Sequence, residues 1–130
     1  MPNQEIKKDL KRAQEALESA KRNLKENDIL TAANRTFVAC ENSVYILLKS
    51  KFGSTSVSRM KILTRLKEID PEAKDTYDKS YDLRVQADYG KEAKILPLNK
   101  ETMNKILEKV KSMVKNVNKI VEEKDIHKEK

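Results

Sequence analysis

Apolar residues recur along the chain in steps of three and four, and five segments carry such a stripe. From residue 4 to 26, Ile6, Leu10, Ala13, Leu17, Ala20 and Leu24 fall on one face, with Lys, Arg and Glu on the other. This is the pattern of an amphipathic helix of about six turns. Asn27-Asp28 interrupts it, and Asp28 is placed to cap a second helix ending near Lys51. That helix has Leu30, Ala33, Phe37, Cys40, Val44, Leu47 and Leu48 on one face, and Ala32, Val38, Ala39, Tyr45 and Ile46 make much of the rest apolar. A helix apolar around its circumference belongs at the centre of a bundle or has its second face covered by a partner chain.

Phe52-Gly53-Ser54-Thr55-Ser56 has loop composition, and a short helix follows from Ser58 to Ile69 on Met60, Leu63 and Leu66. Asp70-Pro71 then gives an N-cap with proline at the first helical position. The fourth helix, Pro71 to Tyr89, has a thin stripe (Ala73, Tyr77, Tyr81, Leu83 or Arg84, Ala87 or Asp88), so its tyrosines must carry much of the packing; Gly90 stops it. A loop over residues 91–98 offers Ile95, Leu96 and Leu98 to cover an end of the core. Asn99 caps a last helix to about Glu123 on Met103, Ile106, Val110, Met113 or Val114, Val117, and Ile120 or Val121. The expectation is an all-α, up-and-down bundle of four to five helices in one domain over residues 1–123, with 124–130 a charged, flexible tail.

Composition agrees with that reading. Only 2 Gly and 3 Pro stand among 130 residues, too few turn-formers for a sandwich or barrel, and without Trp the core must be mainly aliphatic. Charged residues make up 38% of the chain. Such a level suits disorder as well as long solvated helices, and the sustained periodicity favours the helices. No apolar run reaches the 18 or so residues that span a bilayer. The opening Met1-Pro2-Asn3-Gln4-Glu5 has no apolar stretch resembling a signal peptide, so a cytoplasmic protein without membrane contact is expected.

The net charge of +7 permits an acidic partner such as RNA, and its distribution is uneven. Lys and Arg number 7 against 3 Asp and Glu over residues 28–69, 5 against 7 over 70–98, and 9 against 6 over 99–130. There is no block of consecutive basic residues, and a solvated helical surface explains the same numbers.

Most catalytic templates fail. With one His (His127) and one Cys (Cys40), zinc sites, Cys–His pairs and Ser–His–Asp triads cannot be assembled, and two isolated glycines make no phosphate loop. Cys40, in an apolar helical stretch, is expected as a buried reduced thiol. No metal or cofactor is expected. Two short constellations remain. In Ala33-Asn34-Arg35-Thr36-Phe37-Val38-Ala39-Cys40-Glu41, Arg35 and Glu41 are charged residues within an apolar segment, each needing a partner or an outlet to solvent. In Arg84-Val85-Gln86-Ala87-Asp88-Tyr89-Gly90, Arg84 and Asp88 have the i, i+4 spacing of a simple ion pair. Tyr89 lies about 140° further round the helix than Arg84.

In this order and about fifty residues apart, the two constellations resemble the HEPN domain, most of all short HEPN proteins of the UPF0332 type. Ala-Asn-Arg-x-Phe-x-Ala at 33–39 is similar to the family's second-helix pattern, and Arg-x-x-Ala-Asp-Tyr from Arg84 is similar to its later motif. The resemblance covers about residues 4 to 122. It implies a four- or five-helix bundle, a homodimer, and association with a minimal nucleotidyltransferase, often as a toxin–antitoxin pair. Active members are implied to be metal-independent RNases using Arg, four to six residues, then His, with two sites meeting across the dimer. Here positions 89, 90 and 91 are Tyr, Gly and Lys, so the histidine is absent. A phenol titrating near ~10 is a poor general base at neutral pH.

The expectation is therefore a dimeric binding partner rather than an enzyme. Its nucleotide- or RNA-binding groove would be lined by Arg84, Asp88 and Tyr89, with Arg35 nearby. Arg84 would take a phosphate, Asp88 would orient Arg84, and Tyr89 would meet a base or ribose. The rivals are an active RNase toxin using Arg84 and Tyr89, and a purely structural helical adaptor.

Overall fold

The computed structural model describes the backbone of residues 2–54 and 58–129 and the side chains of residues 4–54 and 58–123. Five helices are present: α1 (Pro2–Lys25), α2 (Ile29–Phe52), α3 (Arg59–Ile69), α4 (Pro71–Tyr89) and α5 (Lys100–Glu129). Their ends follow from local chemistry. Asn27 takes the left-handed conformation at φ 64° and turns the chain between α1 and α2. Asp28 then caps α2, its carboxylate accepting the Thr31 N–H at 3.1 Å and the Thr31 hydroxyl at 2.8 Å. Gly53, at φ 81°, closes α2, and Gly90, at φ 62°, closes α4. Asp70 serves two helices: its N–H donates to Leu66 O at 2.7 Å while its carboxylate accepts Ala73 N–H at 3.0 Å. Asn99 caps α5 by accepting the Thr102 N–H at 2.8 Å.

The helix α2 is the centre of the bundle and packs on all four others. Its buried residues run around the cylinder, from Ala32, Ala33 and Phe37 through Cys40 and Val44 to Ile46 and Leu48. One chain thus accounts for the apolar circumference that α2 shows in sequence. All six stripe residues of α1 are buried. The stripe of α5 is wider than a single register, since Met113 and Val114 are both buried. At one end of the bundle Ile6, Leu10, Ile46, Val117 and Val121 form a smaller cluster joining α1, α2 and α5.

Several expectations need correction. In α3 the buried residues are Ile62 and Leu66, whereas Met60 is exposed; a helix of three turns allows two stripe assignments, and the packing against α4 selects one. The inner face of α4 is Ala73, Thr76, Tyr77, Ser80 and Leu83, a stripe in which two small hydroxyl residues, Thr76 and Ser80, escape an apolar count. Leu96 and Leu98 pack against the core, but Ile95 is largely exposed. The loop holding them is strapped to α4 by side chains. Buried Asp82 accepts the N–H groups of Lys94 and Ile95 at 3.2 and 3.1 Å. Gln86 donates to Leu96 O at 2.7 Å and accepts Leu98 N–H at 3.0 Å.

The backbone of α5 continues as helix to Glu129, past the expected end near Glu123. The side chains of the expected tail, His127 among them, lie outside the described residues, as do Thr55 and Ser56 of the expected loop. No helix among the described residues is long and apolar enough to cross a membrane.

Candidate functional site

The two constellations meet in space. Asp88, near the end of α4, accepts the Arg84 Nε–H at 3.1 Å one turn back. The same carboxylate accepts from the Asn34 amide of α2 at 3.2 Å (Oδ2) and 3.5 Å (Oδ1). Asn34 Oδ1 in turn accepts two N–H groups of Arg35, at 3.1 Å from Nε and 2.8 Å from a terminal nitrogen. Four polar side chains thus form one chain from Arg84 to Arg35 across the α2–α4 contact. Asn34 is the link that a list of charged residues misses. Its position one residue before Arg35 was the available signal.

Arg84 points into a groove of about 500 Å³ walled by α1, α2, α3 and α4. Its guanidinium carbon lies 5.4 Å from the centre of the Phe37 ring. The groove also holds Arg12 and Asp9 of α1, Glu41, Tyr45 and Lys49 of α2, Arg59 of α3, and Tyr77 and Tyr81 of α4. Four cationic side chains therefore face two carboxylates. The pairing within it is uneven. Asp9, only 4% exposed, is matched by Lys49 Nζ at 2.8 Å. Arg59 lies over Tyr81, its guanidinium carbon 3.9 Å from the ring centre, and donates to Asp78 at 2.7 Å; its Nε is buried without a hydrogen-bond partner among the described residues. Arg12 has no ion-pair or hydrogen-bond partner among the described residues.

Burial sets the protonation chemistry of the wall. Desolvation raises the Glu41 carboxyl, while the hydroxyl of Tyr45 and the nearby charge of Arg84 oppose the shift. The Tyr45 phenol is pushed up to about 12 by burial first, and then by the negative charge and hydrogen bond of Glu41. Tyr77 is raised as well, again chiefly by burial. Both phenols are therefore neutral hydrogen-bonding groups at physiological pH. Cys40 is inert: fully buried near Met113, its thiol is pushed up to about 12 by desolvation.

Of the four residues singled out from sequence, Arg84 lines the groove and Asp88 stands behind it as its hydrogen-bond partner. Tyr89 is 66% exposed and is not part of the groove wall. Arg35 faces a neighbouring groove between α1 and α2. Sequence reasoning missed Arg12, Lys49 and Arg59, whose spacing ties them to no motif. Among the described residues no group of three His, Cys, Asp or Glu side chains could hold a metal ion.

A family model for the HEPN domain matches residues 6–122. No curated protein matches the chain. The matched region begins within α1 and ends within α5, and so takes in the entire Arg84–Asp88–Asn34–Arg35 chain and every wall of the groove. On that match and on the five-helix bundle beneath it, the chain belongs to the HEPN domain family.

Proposed function

We propose that this HEPN domain is a dimeric binding partner without RNase activity, acting in the cytoplasm beside a minimal nucleotidyltransferase in a toxin–antitoxin-like module, and that its Arg84 groove takes the phosphate of a nucleotide or RNA. The observation that carries the binding reading is Arg84 itself. Asp88 engages Nε, which helps to orient the guanidinium and leaves its terminal nitrogens free of Asp88, on the wall of a groove large enough for one nucleotide. Arg12 adds a second cation, and Tyr45 offers a half-buried ring on which a base can rest.

Catalysis by the family's Arg–His route has no support, because the permitted histidine positions hold Tyr89, Gly90 and Lys91. Tyr89 would have to act from outside the groove. Membership of a family in which dimers are common supports the dimer reading; the nucleotidyltransferase partner is part of the proposal.

Arg84→Ala should abolish binding of a labelled mononucleotide or short RNA, with the helical circular dichroism signal unchanged. Undiminished binding by that variant would remove the groove from consideration. Recovery of a nucleotidyltransferase with the purified chain, and a dimer mass by light scattering, test the partner readings separately.

A further inference from the structure

The groove at Arg84 does not end at its own walls. Arg12 also borders a second depression of about 470 Å³ on the α1–α2 seam, lined by Arg12, Glu15, Ala16, Arg22, Arg35 and Val38. Its lining combines buried Ala16 and half-buried Val38 with three arginines and one glutamate. That glutamate lies 3.9 Å from Lys11 in a solvent-exposed i, i+4 pair. None of the three arginines pairs with a carboxylate among the described residues: Arg35 is held on Asn34 Oδ1, and Arg12 and Arg22 have no such partner. Arg12 and Arg22 are ten residues apart on α1, about 15 Å at the helical rise of ~1.5 Å per residue.

This arrangement matters for what kind of ligand fits. The Arg84 groove alone has the volume of a site for one nucleotide. A single nucleotide there leaves Arg22 and Arg35 unused. Arginines without carboxylate partners along a seam that shares Arg12 with an aromatic-walled groove suit a ligand with charges repeated along its length. A duplex does not fit the same description, since its stacked bases cannot reach the tyrosines. The hydrogen-bonded chain Arg84–Asp88–Asn34–Arg35 ties the cations of the two depressions into one unit.

We propose that the α1–α2 seam, through Arg12, Arg22 and Arg35, is the track along which the backbone phosphates of a single-stranded phosphodiester chain lie once one of its nucleotides occupies the Arg84 groove. The assignment rests on the nucleotide- or RNA-binding reading of that groove and extends it from the groove to the α1–α2 seam. Arg22 touches only the seam, so it separates the two.

The test is fluorescence anisotropy with labelled oligouridylates of two to sixteen residues, at several salt concentrations, on the full chain, Arg22→Gln and Arg84→Ala. Affinity of the full chain should rise with length. Arg22→Gln should leave the dinucleotide unaffected and weaken the sixteen-residue strand several-fold, reducing its log–log salt slope by about 0.7 for the one lost phosphate contact. Arg84→Ala should weaken every length. If Arg22→Gln binds the long strand as the full chain does, with the same salt slope, the track is overturned while Arg84-dependent dinucleotide binding still stands. If no length binds, both readings fall. A change in the light-scattering mass of Arg22→Gln without an effect on RNA would make the seam a contact between copies of this chain, and would also overturn the track.

Discussion

Glu41 is the residue on which the electrostatics of the groove turn. It is a half-buried carboxyl on the wall of a site read as binding an anion, and burial has lifted its pKa above the ordinary value of 4.5. A carboxyl raised in the folded state favours folding when protonated. Its contribution is complete below the unfolded value and is lost as the pH climbs through the folded one. Glu41→Gln keeps the hydrogen-bonding capacity toward Tyr45 and removes the charge. The variant should therefore melt higher than the parent at pH 7, with the difference vanishing by about pH 4. It should also bind the anionic ligand more tightly at pH 7, because one like charge has left the groove. Thermal melts at the two pH values, with a nucleotide titration, check both expectations. A variant that melts lower at pH 7 would show that the attraction to Arg84 outweighs desolvation.

Helix boundaries in this chain are set by single side chains, and Asp70 is the sharpest of them. It ends α3 with its backbone and begins α4 with its carboxylate, so two helices turn on one residue. Pro71 follows at the first helical position, where its missing N–H costs nothing. Asp70→Ala keeps the backbone bond to Leu66 and loses the cap, which should lower stability by about 1 kcal/mol in denaturant melts. The effect should be local to the α3–α4 junction, so hydrogen exchange in the first turn of α4 should speed up more than in α5. Equal acceleration everywhere would mean that α4 is not docked independently of its cap.

Over the whole molecule, α2 is the element against which the rest is assembled. Leu48 is fully buried on it, within the main core cluster. Leu48→Ala should cost roughly 2–5 kcal/mol, since the surrounding helices can collapse into the space only in part. Circular dichroism and Tyr fluorescence should still report one coincident transition, because the clusters on either side of α2 share it. Separate transitions by the two probes would divide the bundle into independent units. The large apolar side chains left at the surface are spread over α2 (Leu30 near its start and Phe52 at its end), α3 (Met60), α4 (Tyr89) and the loop after α4 (Ile95), and Arg65 covers Phe52 with its guanidinium 4.9 Å from the ring centre.

The five helices and nearly all their boundaries were legible in the sequence, because the information is local. A stripe at helical spacing, a capping Asp or Asn, and a Gly able to take positive φ each act within a few residues of themselves. Legibility failed where two registers were equally apolar, as at Met60 and Ile62, and where the buried face was polar, as at Thr76 and Ser80. The candidate site was half legible. Arg84 and Asp88 share one helix, and their pairing follows from i, i+4 geometry alone. That Asn34 completes the link to Arg35, that Arg12 and Arg59 arrive from α1 and α3, and that Tyr89 stands apart were decided by how the helices dock. Docking brings together residues more than fifty positions apart, and no local periodicity encodes which polar edges will then face one another. Local spacing thus determined the bundle and one arginine–aspartate pair; only the packing of four helices around that pair made a groove.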